Sequence, residues 1–118
     1  MVAALQACAT GPDAAKVAAA CEALYDFFNA DNRAALVADG ALPALLAAQR
    51  AHAGHAGVNR FFLWALCNIT AAEGPQRAHT KAAVEACGAL AVARALMQQF
   101  PADGNIQNYG KRLLAQFA

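Results

Sequence analysis

The chain has 118 residues, which is enough for one compact domain and too few for two. Its formal net charge is +1, and its lysines and arginines are scattered singly except for the pair Lys111 and Arg112, so the basic stripe typical of a nucleic-acid-binding protein is missing. Roughly three residues in ten are alanine, the strongest helix former, and residues typical of strands form no alternating run. The composition therefore predicts an all-α protein that does not bind nucleic acid.

The sequence gives no sign of a membrane or secretory destination. Charged or turn residues interrupt every apolar run well short of a membrane span, and no positively charged region precedes the short apolar stretch at the N-terminus. The four cysteines, Cys8, Cys21, Cys67 and Cys87, lie among alanines and leucines in helical context, which favours buried thiols over disulfides. We therefore predict no membrane association and a cytoplasmic location, with the nucleus left open.

A helix break followed by a restart occurs twice along the chain. Residues 37–42 contain Gly40 and residues 85–90 contain Gly88, and each glycine is followed by an Ala-Leu pair. Glycine allows the sharp turn at which one helix ends and the next begins. Pro43 fits the first turn of the helix after Gly40, where its missing N–H costs nothing.

A longer amphipathic helix is predicted after each break. Residues 58–70 align with residues 106–118, and an earlier copy covers residues 16–28. Apolar residues in each copy follow the i, i+3, i+4, i+7 spacing of a helix with one buried face. The distance from the glycine to the start of the long helix is 18 residues in both later copies, which indicates a true internal repeat.

The repeat copies differ by a six-residue insertion. It falls in residues 71–80, around Glu73-Gly74-Pro75, and insertions between repeats belong in loops. The unit is thus a short helix, a sharp turn, a helix, a loop and a longer helix, with 42 residues, or 48 with the insertion. With this unit, the predicted single domain, residues 1–118, consists of a partial repeat (1–29) and two full repeats (30–72 and 73–118). The alternative is an unrelated alanine-rich bundle.

The central copy carries a distinctive set of residues: Asn32-Arg33, Leu36-Val37, Gly40-Ala41-Leu42-Pro43-Ala44-Leu45-Leu46, Val58 and Trp64-Ala65-Leu66-Cys67-Asn68-Ile69. This pattern resembles the armadillo repeat, and the resemblance covers essentially the whole chain. It implies a right-handed α-solenoid of about two and a third three-helix repeats, with a concave groove lined by the third helices. The last copy departs from the pattern at Gly110, inside its long helix, and at Arg112, which stands where the central copy has Trp64.

One face of the long helix carries the candidate binding residues. Helical spacing places Arg60, Trp64 and Asn68 one above another, while Phe61, Phe62, Ala65, Leu66 and Ile69 look inward. The pair Trp64 and Asn68 matches the tryptophan–asparagine pair with which nuclear-import armadillo proteins hold an extended peptide, so the resemblance implies that role. A tryptophan can stack on such a ligand, and an asparagine can hydrogen-bond its backbone.

The equivalent row in the neighbouring copies has different chemistry. It consists of Ala18, Glu22 and Asp26 in the first copy and of Asn108, Arg112 and Gln116 in the last. The predicted groove thus grades from acidic through aromatic to basic, and such a gradient can orient a charged partner. The alternative is that Trp64 packs against the next repeat and that the charges are ordinary solvated surface.

Residues that could carry chemistry are few. His52 and His55 have the spacing of a metal-binding pair, but a closed site needs four ligands, and residues 51–57 read as a flexible inter-helix loop. No phosphate-binding loop, dinucleotide turn, nucleophile elbow or di-iron pattern is present. Asp13, Asp31 and Asp103 read as helix starts, where a carboxylate accepts from unpaired N–H groups. We predict no enzyme activity, no metal and no cofactor.

The two ends of the chain are apolar, at residues 2–8 and 113–118. Because solenoid repeats bury their hydrophobic faces against neighbours, we expect a fragment of a longer array, or a subunit that self-associates or docks through exposed solenoid ends. The predicted function is a non-enzymatic protein-binding scaffold or adaptor that holds a protein or an extended peptide in the concave groove. The alternative is a purely structural subunit packed by its open ends into a larger assembly.

Overall fold

The structure, a computed structural model, describes residues 40–71 and 75–117 together with Ala38. Five helices occupy this part of the chain: α1 (Ala41–Ala51), α2 (Ala56–Thr70), α3 (Pro75–Ala86), α4 (Ala89–Gln99) and α5 (Gly104–Ala115). No strand occurs in the described residues, which confirms the all-α prediction there. The predicted partial repeat 1–29 and the helix starts at Asp13 and Asp31 lie outside the described residues.

The helices follow one register through the two later copies. Helices α1 and α4 each have 11 residues and begin 48 positions apart. Helices α2 and α5 also begin 48 positions apart, at Ala56 and Gly104. This is the spacing of the unit that includes the insertion, so in the described residues the two helices that follow each glycine recur at that spacing.

Both predicted glycine turns are confirmed. Gly40 has φ 93° and Gly88 has φ 80°, and each immediately precedes a helix. This left-handed conformation is strained for a residue with a side chain, and no atom lies within 4 Å of where a Cβ would stand, so the backbone angle alone requires glycine. Pro43 lies in the first turn of α1, as predicted.

Capping side chains start the two long helices slightly earlier than the sequence predicts. The His55 side chain accepts from the Val58 N–H through Nδ1 at 3.4 Å, and α2 already begins at residue 56. The interpretation of residues 51–57 as a loop is therefore wrong at both ends, and the loop shrinks to residues 52–55. Asp103 caps α5 in the same way, which confirms its predicted place at a helix start. The regular part of α5 ends at Ala115 rather than at residue 118.

The insertion is only partly a loop. Helix α3 begins at Pro75, so residues 75–80 are helical and the loop prediction for them is wrong. Proline is well suited to the first helical position, because its missing N–H is unpaired there in any helix. Thr80 is fully buried and its hydroxyl donates to the Arg77 carbonyl at 3.0 Å, so packing and local bonding hold this segment in the helix.

Helix α2 forms the centre of the described structure. It packs against α1 and α3 and most extensively against α5, while α4 packs against α3 and α5. The inward face predicted for α2 is confirmed, because Phe61, Phe62, Ala65, Leu66 and Ile69 are all at most 1% exposed. Burial of each large apolar side chain stabilises the fold by about 1.5–3 kcal/mol. The corresponding helices α2 and α5 of consecutive copies thus lie side by side.

Candidate functional site

An open cleft of about 220 Å³ lies between α2 and α5. Trp64, Cys67 and Asn68 line it from α2, and Tyr109 and Arg112 line it from α5. The structure therefore brings together three of the residues predicted for the groove, namely Trp64, Asn68 and Arg112. Cys67 and Tyr109 are lining residues that the sequence analysis did not identify.

The Trp64 side chain is shared between the core and the cleft. It is half-buried and packs against the hydrophobic core, and its ring stacks on Phe61 with centroids 6.1 Å apart and planes 28° from parallel. Packing therefore fixes the ring while part of it lines the cleft. A side chain held in place before a ligand arrives loses little conformational entropy on binding. Tyr109 is also half-buried and packed against the core.

Cys67 joins the two walls of the cleft. Its Sγ donates to the Tyr109 carbonyl at 3.1 Å. Burial raises the pKa of the thiol to about 11, and the nearby Arg112 guanidinium and the Leu113 N–H lower that pKa by a smaller amount. The group is thus a protonated hydrogen-bond donor at neutral pH rather than a nucleophilic thiolate. Cys67 and Cys87 are free and half-buried rather than fully buried, whereas Cys8 and Cys21 lie outside the described residues.

Arg60, the first residue of the predicted row, connects α2 to the start of α5. Its Nη2 and Nε lie 2.7 Å and 2.9 Å from Asp103 Oδ2. The other carboxylate oxygen, Oδ1, accepts from the Asn105 and Ile106 N–H groups at 3.1 Å each. The hydrogen bond from Arg60 is the main reason that the pKa of Asp103 is lowered, and the two N–H groups also lower it. One carboxylate therefore caps α5 and ties it to α2.

Two amide side chains fix α2 and α5 against the backbone that precedes each helix. Asn59 is fully buried and its Nδ2 donates to the Ala53 carbonyl at 2.7 Å. Gln107, 48 positions later, donates through Nε2 to the Met97 carbonyl at 2.7 Å and to the Phe100 carbonyl at 3.2 Å. The sequence signal for this pair is the presence of amides at equivalent positions of the two copies, which the predicted groove row did not include. They hold the two walls of the cleft in place.

The remaining predicted residues lie elsewhere. Asn108 is exposed on α5 and Gln116 is half-buried just after it, and neither lines the cleft. Glu22 and Asp26 lie outside the described residues. Within residues 40–71 and 75–117, no group of three or more histidine, cysteine or acidic side chains is placed to hold a metal ion. In the same part of the chain, no helix has the length and apolar character needed to cross a membrane.

Comparison with known proteins gives no match to any family model, curated protein or solved structure. The armadillo resemblance accordingly stays a prediction from the residues that carry it.

Proposed function

We propose that this chain is an armadillo-like, right-handed α-solenoid and a non-enzymatic binding module, which holds an extended segment of another protein between α2 and α5. The observation that carries the proposal is the cleft in which Trp64 and Asn68 face Tyr109 and Arg112. The side-by-side packing of α2 and α5 and their common register support the solenoid part of the proposal.

The lining of the cleft is typical of protein recognition. Tryptophan, tyrosine and arginine are the residue types that most often dominate the binding energy of protein interfaces, and all three occur here. Asn68 adds an amide, the side chain best matched to the donor and acceptor of a peptide backbone. The volume of about 220 Å³ is below the range of about 300–1,000 Å³ typical of pockets that enclose small molecules. An open cleft of this size suits a few residues of an extended chain.

The polar groups of the cleft suit binding better than catalysis. Among its described lining residues there is no carboxylate and no imidazole to move a proton. The thiol of Cys67, with a pKa raised to about 11, is protonated at neutral pH. Asp103 forms an ion pair with Arg60, and Glu85 is exposed on α3. Neither carboxylate lines the cleft.

A selection of random linear peptides, displayed on phage and panned against the purified chain, tests the proposal. Selected peptides should lose about tenfold or more in affinity for the double variant Trp64→Ala/Asn68→Ala, because aromatic anchors typically contribute at least about 2 kcal/mol. Phe100→Ala is the matched control, since Phe100 is also a half-buried aromatic packed against the core but does not line the cleft.

Folding of each variant is checked by circular dichroism and thermal melting before binding is measured. Equal loss of affinity in the control and the double variant would show that binding follows stability rather than the cleft. Peptides that bind the double variant as well as the original chain contradict the proposal.

A further inference from the structure

The charge of the cleft comes from Arg112. It is the charged side chain among the described residues that line the cleft, and it is exposed in the last turn of α5. Within the described part of the chain it makes no ion pair and no side-chain hydrogen bond. Its guanidinium lines the same cleft as Cys67 and lowers the pKa of that thiol, against the larger effect of burial. Arg60, the other basic residue predicted for the groove, forms an ion pair with Asp103.

The segment that supplies both walls of the cleft, from residue 40 onward, is rich in basic residues. From residue 40 onward there are seven basic and three acidic residues, a formal charge of +4, whereas residues 1–39 have two basic and five acidic residues, a charge of −3. The seven basic residues are Arg50, Arg60, Arg77, Lys81, Arg94, Lys111 and Arg112. A local surplus of positive charge near Arg112 favours a negatively charged segment over a positive one.

A single guanidinium is suited to a single carboxylate. The two groups can form two parallel hydrogen bonds, which give both energy and direction. A phosphorylated side chain carries about −1.5 to −2 charges and is usually bound by a cluster of arginines. Lys111 is adjacent in sequence but does not line the cleft, so no such cluster forms among the described lining residues.

We propose that the cleft selects extended protein segments that carry an aspartate or glutamate, whose carboxylate pairs with Arg112 while neighbouring apolar atoms contact Trp64 and Tyr109. This inference rests on the proposed function and specifies its ligand class. Asn68 then contacts the backbone of the same segment, next to the acidic residue. Recognition thus combines one charged contact on α5 with an aromatic and an amide contact on α2.

The test uses the same peptide selection with two charge-reversed variants, Arg112→Glu and Arg94→Glu. Arg94 is the matched control, because it is exposed on α4, does not line the cleft and undergoes the same change of charge. We expect the selected peptides to share one acidic position, and we expect its replacement by Asn or Gln to weaken binding by about 10–100-fold. Arg112→Glu should cause a similar loss, whereas Arg94→Glu should change affinity by less than about threefold.

A charge swap separates direct contact from a structural role. Peptides with lysine at the acidic position should recover affinity for Arg112→Glu and not for the original chain. Peptides that require Trp64 and Asn68 but show no acidic preference would overturn this inference and leave the proposed function standing. A preference for phosphoserine over glutamate at that position would overturn the carboxylate assignment. Failure to select any peptide that depends on Trp64 and Asn68 would remove the proposed function itself.

Discussion

Asp103 has two structural roles, and a substitution that removes both should cost more stability than one that removes only the ion pair. One of its oxygens, Oδ1, caps α5, and the other, Oδ2, accepts from Arg60 on α2. Asp103→Ala removes both interactions. Asp103→Asn keeps an oxygen that can cap the helix, because asparagine and aspartate are equally good capping residues, but it removes the charge that attracts Arg60.

The expected magnitudes follow from the geometry. Loss of a helix cap costs about 1 kcal/mol. The ion pair is worth about 0.5–1 kcal/mol, since the Arg60 side chain is 43% exposed even though that of Asp103 is only 10% exposed. We therefore expect Asp103→Ala to lower the free energy of unfolding by about 1.5–2 kcal/mol and Asp103→Asn by about 0.5–1 kcal/mol. The corresponding decreases in Tm are about 6–8 °C and about 2–4 °C.

Urea denaturation followed by circular dichroism measures these differences. A double-mutant cycle with Arg60→Met and Asp103→Asn isolates the pair, and its coupling energy should be about 0.5–1 kcal/mol. Equal destabilisation by Asp103→Ala and Asp103→Asn would refute the capping role. A coupling energy of zero would refute the ion pair as a link between α2 and α5.

The pH dependence of stability tests the same carboxylate independently. The Arg60 hydrogen bond is the main cause of the lowered pKa of Asp103 in the folded chain, relative to its ordinary value of 3.8. A lowered pKa in the folded state means that the stabilisation is complete above pH 3.8 and is lost as the pH falls through the folded-state pKa. The stability difference between the original chain and Asp103→Asn should therefore shrink in that acid range. A difference that stays constant there would contradict the assignment.

Two further predictions concern glycines in the last repeat. Gly88→Ala should lower the free energy of unfolding by about 1–2 kcal/mol, because φ at this residue is 80°. The control is Gly54→Ala, at a site with no positive φ and with open space around it, and it should change stability by less than about 0.5 kcal/mol. Equal effects of the two substitutions in urea denaturation would contradict this prediction. Gly110→Ala should also destabilise, by up to about 1 kcal/mol, because the new Cβ would lie 2.5 Å from Met97 Sδ and 2.7 Å from Met97 Cγ, so the half-buried Met97 side chain has to shift. In a Met97→Ala background the same substitution should become stabilising by up to about 1 kcal/mol, since alanine favours the helix, and an unchanged sign would refute the steric explanation.

The features that the sequence predicts well are those that depend on neighbouring residues. A left-handed turn at Gly40 or Gly88 and a helix start at Asp103 depend on a few adjacent backbone groups, so composition and spacing reveal them. The inward face of α2 is equally local, because a periodicity of 3.6 residues determines which side chains share a face. The boundary at Pro75 was misjudged because glycine and proline together indicate a loop, although proline is also compatible with a helix start.

The features that the sequence did not predict depend on how two helices are rotated about their axes. Spacing within α2 groups Arg60 with Trp64, but it says nothing about the residues of α5 that face them. Asp103 lies 43 positions from Arg60, and Tyr109 lies 42 positions from Cys67, and in each pair the two residues meet only because α2 and α5 pack together. The composition of the cleft was therefore only half predictable.

The cleft owes its chemistry to the positions where the two copies differ. Arg112 occupies the position of Trp64, and Tyr109 occupies that of Phe61, 48 residues later in both cases. Phe61 is fully buried, whereas Tyr109 is half-buried and lines the cleft. Had the last copy kept tryptophan and phenylalanine, the wall on α5 would be as apolar as the wall on α2. With Arg112 on the α5 wall, the positive charge lies opposite the aromatic–amide pair of α2, and such a polarity would give the proposed ligand segment one preferred direction.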